Sequence, residues 1–248
     1  GTRKETANLD YTPTFAPKPK TKDQGKLLDY TTPLSELPSG HRAVLYCLNR
    51  KIPEERFRDL YYTDDYSILE QLRPDVYEGR LLNDERIVIP FRNRDGRLIG
   101  VQGRSITGSP TRYVTIRLTD NDPLIYNIES IDTLERIFVV EGPIDSMFLP
   151  NAVACGGSDL MKAMRMLPKG NTTLVFDNQP RNKDLIALIE KACKWGFSVF
   201  VYPSNIKSKD INDMVLEGFT PQEITSLINN NTHHDLALRL AIRDWKKI

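Results

Sequence analysis

Long apolar runs are missing from this chain. None approaches the ~18 residues that a bilayer-crossing helix needs, and no stretch has the pattern of a secretory signal, so no membrane partner is expected. Cysteine is scarce: Cys47, Cys155 and Cys193 are scattered, with no C-x-x-C pair and no histidine nearby. That excludes a disulfide framework and gives no zinc site within this chain; a reduced, cytosolic compartment fits. Cys193 falls on the apolar side of an expected helix and reads as a core residue. Histidine chemistry has little to work with, since His41 is isolated and His233-His234 lie in a late polar stretch without a nucleophile motif. A strong charge of either sign is lacking too, the formal net charge being +1, so any electrostatic message must be local.

What is present is uneven along the 248 residues, a length that suits one large or two modest domains. Residues 1–33 are expected to be a flexible basic linker: residues 1–26 hold Pro13, Pro17, Pro19 and six lysines or arginines, with little apolar periodicity. The chain starts Gly1-Thr2 without a methionine, which is expected of a piece of something longer. Residues 34–132 mix helix and strand, as an α+β subdomain. His41 to Asn49 reads as helix, and Lys51-Ile52-Pro53 as a break before a new helix start. Arg86 to Phe91 reads as a strand, Asn93-Arg94-Asp95-Gly96 as a hairpin turn, and Leu98 to Val101 as the returning strand.

From about residue 133 strands and helices alternate, which predicts an α/β domain over 133–216, a parallel sheet flanked by helices. Ile137–Glu141, Ala152–Cys155, Thr173–Phe176 and Phe197–Tyr202 are the expected strands. Residues 217–248 are expected to be a carboxyl-terminal helical segment, opened by the capping box Thr220-Pro221-Gln222-Glu223.

The acids acquire meaning from this alternation. Glu141 and Asp145 follow one strand, Asp177 ends another, and Asp210 with Asp213 follows a fourth. In a parallel sheet the carboxyl ends of the strands share one edge, and ligands bind there. An isolated E-G-x-x-D could be a surface turn with a capping acid. Five acids from three segments on one edge repel one another unless a cation neutralises them, and Mg²⁺ (or Mn²⁺) favours such oxygen ligands.

The order of these acids resembles the Toprim fold shared by topoisomerases, primases and some nucleases. Glu141, Asp145 and Asp177 match that family's motif by position. Gln179 departs from it, standing where the family's aspartate pair has its second member, and Asp210 and Asp213 are the alternative ligands. Longer runs carry a closer resemblance: Val140-Glu141-Gly142-Pro143-Ile144-Asp145-Ser146, Phe176-Asp177-Asn178-Gln179-Pro180-Arg181 and Lys207-Ser208-Lys209-Asp210-Ile211-Asn212-Asp213-Met214. These look like the DNA primase subunits of T-even-type bacteriophages, and Ile89-Pro90-Phe91 with Gln102-Gly103-Arg104 is similar to bacterial-type primase cores. The resemblance implies synthesis of RNA primers from NTPs on a single-stranded DNA template. It also implies a hexameric replicative helicase as partner, the cytoplasm of an infected bacterial host as location, and an upstream zinc-binding module that this chain does not contain.

Six arginines (86, 92, 94, 97, 104 and 112) stand between residues 86 and 112 against one acid, Asp95. Such a hairpin would complement a phosphodiester backbone, since the guanidinium fork bonds phosphate bidentately. Arg86, Arg92, Arg104 and Arg112 are the expected contacts, with Tyr113 placed to stack on a base. The resemblance singles out Arg104 and the pair Arg112-Tyr113. An ordinary solvated hairpin face is the plain alternative. Lys207 and Lys209 either bind nucleotide phosphates or solvate the acidic loop.

The expected chemistry is metal-assisted nucleotidyl transfer. Glu141 is the general base or a ligand, and Asp145, Asp177, Asp210 and Asp213 are the ligands. A nuclease using the same acids, or a replication adaptor with a degenerate site, are the other readings. A topoisomerase would need strand-passage domains for which the chain is short.

Overall fold

The computed structural model describes residues 27–156 and 158–247. Up to residue 26 the expected basic linker lies outside the described residues. Its remainder does not behave as a linker. Leu27 is fully buried and Thr32–Pro33 forms β1, paired antiparallel with β2 (Tyr61–Thr63). The physical reason is a leucine too apolar to leave in water beside an open sheet edge.

Two five-stranded sheets carry the fold. The first is antiparallel, in the order β1-β2-β3-β4-β5, with β3 at Arg86–Arg92, β4 at Leu98–Ser105 and β5 at Tyr113–Arg117. The β3–β4 turn is built as expected: Asn93 Oδ1 accepts from the amides of Asp95 and Arg97, and Gly96 takes φ +79°. Helix α1 (Arg42–Asn49) precedes β2, with His41 Nδ1 accepting from Ala43 N at 3.2 Å as its cap. A single helical turn, α2 (Pro74–Tyr77), precedes β3.

The second sheet runs β10-β9-β8-β6-β7, with β6 at Ile137–Val140, β7 at Ala152–Ala154, β8 at Thr172–Val175, β9 at Ser198–Phe200 and β10 at Thr232–His233. The pairs β6–β7, β6–β8 and β8–β9 are parallel; β10 is antiparallel to β9. Crossover helices are α3 (Pro143–Ser146), α4 (Ser158–Met166) and α5 (Lys183–Lys194), followed by α6 (Ile211–Leu216), α7 (Pro221–Asn230) and α8 (Asp235–Trp245). This is the α/β Toprim arrangement, behind an antiparallel subdomain. The capping box on α7 is formed at both ends, Thr220 and Glu223. Residues 217–248 are not helices standing apart, however. They supply the edge strand β10, and Leu238 and Ile242 of α8 are buried in the same core as α5.

Side-chain alternation divides the interior. Phe138 and Val140 of β6 face a core shared with Ile87, Ile89 and Phe91 of β3, so the two sheets are joined through one apolar layer. Ile137 and Val139 point the other way, to the layer under α4, α5 and α8. Val88 and Val101 face a third cluster on the outside of the first sheet. Cys47, Cys155 and Cys193 are free and buried. Among the described residues no helix is long and apolar enough to cross a membrane.

Candidate active site

Four of the acids meet where the carboxyl ends of β6 and β8 and the segment after β9 converge. Glu141 follows β6 directly and its Oε1 accepts from Asp177 N at 3.1 Å, which ties the ends of two adjacent parallel strands. Asp145 lies on α3. A Cβ at Gly142 would come within 2.6 Å of Asp145 Oδ2, so any larger residue there would push the Asp145 carboxylate from its present position. Pro143 opens α3 at its first turn. Thus each letter of the E-G-P-x-D run has a local physical role.

Asp177 Oδ2 accepts from Lys209 Nζ at 3.0 Å and from Gln179 Nε2 at 3.0 Å. Asn178 fastens this loop to the next: its amide nitrogen donates to the carbonyls of Ile206 and Ser208, and its carbonyl oxygen accepts from Trp245 Nε1 at 3.0 Å. Asp210 caps α6, its Oδ1 accepting from Asp213 N at 2.8 Å. Asp213 itself is turned to the loop, with Oδ2 accepting from Lys209 N at 3.4 Å, and its charge bears on Asp210. The fifth expected ligand therefore stands beside Asp210 in the first turn of α6.

Burial and crowding make three of these carboxylates, Glu141, Asp145 and Asp210, hard to ionise. Burial, reinforced by the charge of Asp210, pushes Asp145 up to about 7. Burial also raises Glu141 and Asp210. Lys209 is held above its ordinary value by its hydrogen bond to Asp177. Beneath them lies Tyr202, 5% exposed, whose hydroxyl has no hydrogen-bond partner among the described residues and whose ionisation is opposed by burial and by Asp145, Asp177, Asp210 and Glu141. The tyrosine belongs to the site and nothing in the sequence pattern points to it.

A second cluster faces the acids from the antiparallel subdomain. The Tyr46 hydroxyl accepts from Arg50 Nε and from Arg104 Nε, each at 2.8 Å. The Arg104 guanidinium also lies 4.6 Å from the centroid of Tyr113, its cross-strand neighbour. Arg50 Nη1 donates to Asn212 Oδ1 at 2.7 Å, and Asn212 N donates to Asp145 Oδ1 at 2.9 Å. An unbroken chain of contacts thus runs Arg104–Tyr46–Arg50–Asn212–Asp145. Tyr46 and Arg50 share a helix face at i,i+4 spacing, which was a readable signal; that Arg104 and Asn212 join them was not.

The expected basic contacts divide. Arg104 is at the cluster, and Arg112 and Tyr113 are exposed beside it. Arg86 is not a surface group: fully buried, it forms a bidentate pair with Asp84 at 2.6 and 2.7 Å and donates to the carbonyls of Gly103 and Thr111. Arg92 is likewise buried, donating to Gly96 O inside the hairpin turn. Both share the face of β3 that carries Val88, where the third cluster covers them and keeps them out of reach of phosphate. Lys207 is exposed and bonded to Ser204 O, while Lys209 reaches into the acids.

Among the described residues no three His, Cys, Asp or Glu side chains stand close enough to hold one ion in this arrangement. The donor set nonetheless fits a hard divalent cation in kind: four carboxylates crowded at one edge, a lysine standing among them as counter-charge, and a buried phenol below with no hydrogen-bond partner among the described residues.

The chain is 31% identical over 241 residues to the DNA primase of Enterobacteria phage T4, a match covering 95% of this chain and 69% of that protein. The chain belongs to the DNA primase family. Staphylococcus aureus DNA primase is 33% identical over 117 residues, 41% of this chain and 19% of the relative. No protein-family model matches. Among solved structures, a DnaG primase catalytic domain bound to ssDNA superposes with TM-score 0.65 at 17% identity, over 87% of this chain and 79% of that one. The RNA polymerase domain of Mycobacterium tuberculosis DnaG gives 0.62 at 19%, over 89% and 84%, and the E. coli primase catalytic core 0.63 at 18%, over 83% and 78%. The primase fold thus extends over both sheets.

Proposed function

We propose that the chain makes short RNA primers on a single-stranded DNA template by divalent-metal-assisted nucleotidyl transfer from NTPs. The observation that carries this is the meeting of Glu141, Asp145, Asp177 and Asp210 over Tyr202, directly opposite the Arg104–Tyr46–Arg50 cluster. Asp145, Asp177 and Asp210 would hold Mg²⁺ or Mn²⁺, with Glu141 as a further ligand or the general base; Asp213 stands beside Asp210. Bound there, the ion supplies neutralisation of triphosphate charge and of the departing pyrophosphate.

The chain's own groups account for the rest. Glu141, raised by burial, suits accepting a proton from a primer 3′-hydroxyl. Lys209 already balances negative charge at Asp177 and would do the same for a phosphate. Arg104 and Arg112 offer phosphate contacts and Tyr113 an exposed ring for stacking, so template and incoming nucleotide would lie between the two clusters. The wider reading adds a hexameric replicative helicase and a zinc-binding module as partners inside an infected bacterium; the phage relative, itself a DNA primase, supports the setting in phage replication.

The test is primer synthesis with NTPs, Mg²⁺ and a single-stranded template. Glu141→Gln and Asp177→Asn are expected to abolish product while leaving the thermal unfolding midpoint and template binding near those of the parent. Full activity in either purified variant overturns the assignment. Degradation of the template in place of extension would make the protein a nuclease.

A further inference from the structure

The amide of Asn212 is committed at both ends to one residue in the other subdomain. Arg50 Nη1 donates to Asn212 Oδ1 at 2.7 Å, and Asn212 Nδ2 donates to Arg50 O at 2.9 Å, across 162 positions of sequence. The same residue's backbone N–H donates to Asp145 Oδ1 at 2.9 Å. Asn212 is 3% exposed, so these bonds form away from water, where geometry is enforced by the cost of leaving a polar group unpaired. A second tie, Lys51 Nζ to Val215 O at 3.0 Å, joins the same two segments.

We propose that Asn212 is a positioning residue for the transfer reaction, fixing the distance between the Arg104–Tyr46–Arg50 cluster and the carboxylate of Asp145. The inference rests on the primase reading and extends it. Arg50 is oriented from two sides: Tyr46 accepts its Nε and Asn212 its Nη1. Tyr46 in turn accepts from Arg104, so a shift at Asn212 moves both guanidinium groups relative to the acid edge. Only an amide of this length serves. Aspartate keeps the acceptor for Arg50 Nη1 but sets a second acceptor against Arg50 O, and alanine removes both. Substrate groups held on opposite sides of the crevice would then meet out of line, and a displacement of that kind costs rate more than binding.

The experiment uses the full chain with Asn212→Ala, Asn212→Asp, Arg50→Ala and the double variant Arg50→Ala/Asn212→Ala. Primer-synthesis kinetics, the thermal midpoint and hydrogen exchange of residues 46–52 and 143–147 are measured together. The expected result for Asn212→Ala is a fall in kcat of about 10- to 100-fold with KM for NTP little changed. Asn212→Asp, which keeps the shape, should fold normally and lie between parent and Ala. The double variant should lose clearly less than the sum of the two single variants, since Asn212 orients the Arg50 side chain while its bond to Arg50 O survives Arg50→Ala. Exchange protection should fall in both segments together.

Unchanged kcat in Asn212→Ala overturns the proposal, as do fully additive losses in the double variant. If Ala does not fold, parental kcat in Asn212→Asp overturns it. If the parent itself makes no primer, the primase reading fails instead, and the exchange result alone decides whether Asn212 couples the two segments: loss of protection in both supports it, and loss in neither refutes it.

Discussion

Gln179 Nε2 donates to Asp177 Oδ2 at 3.0 Å, while Gln179 Oε1 accepts from Asn182 Nδ2 at 2.9 Å. The amide that departs from the family's aspartate pair is therefore a clamp on the aspartate that remains, anchored in turn to the cap of α5. Gln179→Ala is expected to cost about 1 kcal/mol of stability through the lost bonds. Gln179→Asp should be less stable than the parent in chelator, since two carboxylates then face each other, and should regain that loss on adding Mg²⁺. Urea midpoints with and without the ion check both. A Gln179→Asp variant indifferent to Mg²⁺ would show that Asp177 is not near the ion.

Arg86 should behave as a fold residue and Arg104 as a site residue. Arg86→Met leaves Asp84 without its bidentate partner and the carbonyls of Gly103 and Thr111 without a donor, for an expected loss of about 3–5 kcal/mol. Gly103 belongs to the same knot, because a Cβ there would lie 2.3 Å from Tyr66 Cε2 and 2.7 Å from Arg86 Cδ. Arg104→Ala should leave the thermal midpoint nearly unchanged, weaken binding of a single-stranded oligonucleotide and reduce its salt slope by about 1. Midpoints and anisotropy titrations at several salt concentrations separate the two arginines. The reverse pattern would exchange their roles.

This contrast shows where sequence reasoning reached and where it stopped. The β3–β4 hairpin was legible because Asn93 to Gly96 fixes a turn locally, and the parallel strands were legible because β-branched runs alternate with helix patterns. The convergence of Glu141, Asp145, Asp177 and Asp210 followed from topology alone, as all strand ends in such a sheet share one edge. Arg86 and Arg92 were misplaced because composition counts charges without asking which face of a strand each occupies. Strand parity puts Arg86, Val88 and Arg92 on one side, and Val88 is fully buried. The joining of Arg104 and Asn212 to the Tyr46–Arg50 pair was invisible for a different reason: these contacts span 58 and 162 positions, and a hydrogen bond at that range leaves no local pattern. The strand β10 escaped notice because two residues are too few to show a period.

Stability should fall as pH rises when metal is absent. Asp145 is raised from 3.8 to about 7 on folding, by burial first and by Asp210 second. The folded state then binds more protons at this site than the unfolded state between those values, so the contribution of Asp145 to stability is fully present below about pH 4, falls through the interval and is lost above 7. Glu141 and Asp210, also raised, act in the same direction. In chelator the urea midpoint is expected to drop between pH 5 and 7.5, and Asp145→Asn, which keeps the acceptor for Asn212 N, should show a shallower drop. Saturating Mg²⁺ should flatten the parent's curve, because the ion relieves the same repulsion. Equal slopes in parent and Asp145→Asn would remove Asp145 as the cause.

Tyr202 offers a test that separates the fold from the ion. Its hydroxyl is buried beneath four carboxylates and has no partner among the described residues. Tyr202→Phe removes an unsatisfied group while keeping the ring against Phe200, whose centroid is 4.5 Å away. In chelator the variant should therefore be as stable as the parent, or more so by about 1 kcal/mol. With Mn²⁺ the order should reverse if the phenol donates to a carboxylate or water held at the ion, since the parent then gains a bond that the variant lacks. Calorimetric Mn²⁺ titration is expected to show weaker binding to Tyr202→Phe, about 10-fold by analogy with lost groups that support metal ligands. Equal affinity together with lower stability in chelator would mean that the hydroxyl serves the fold and has no part in the site.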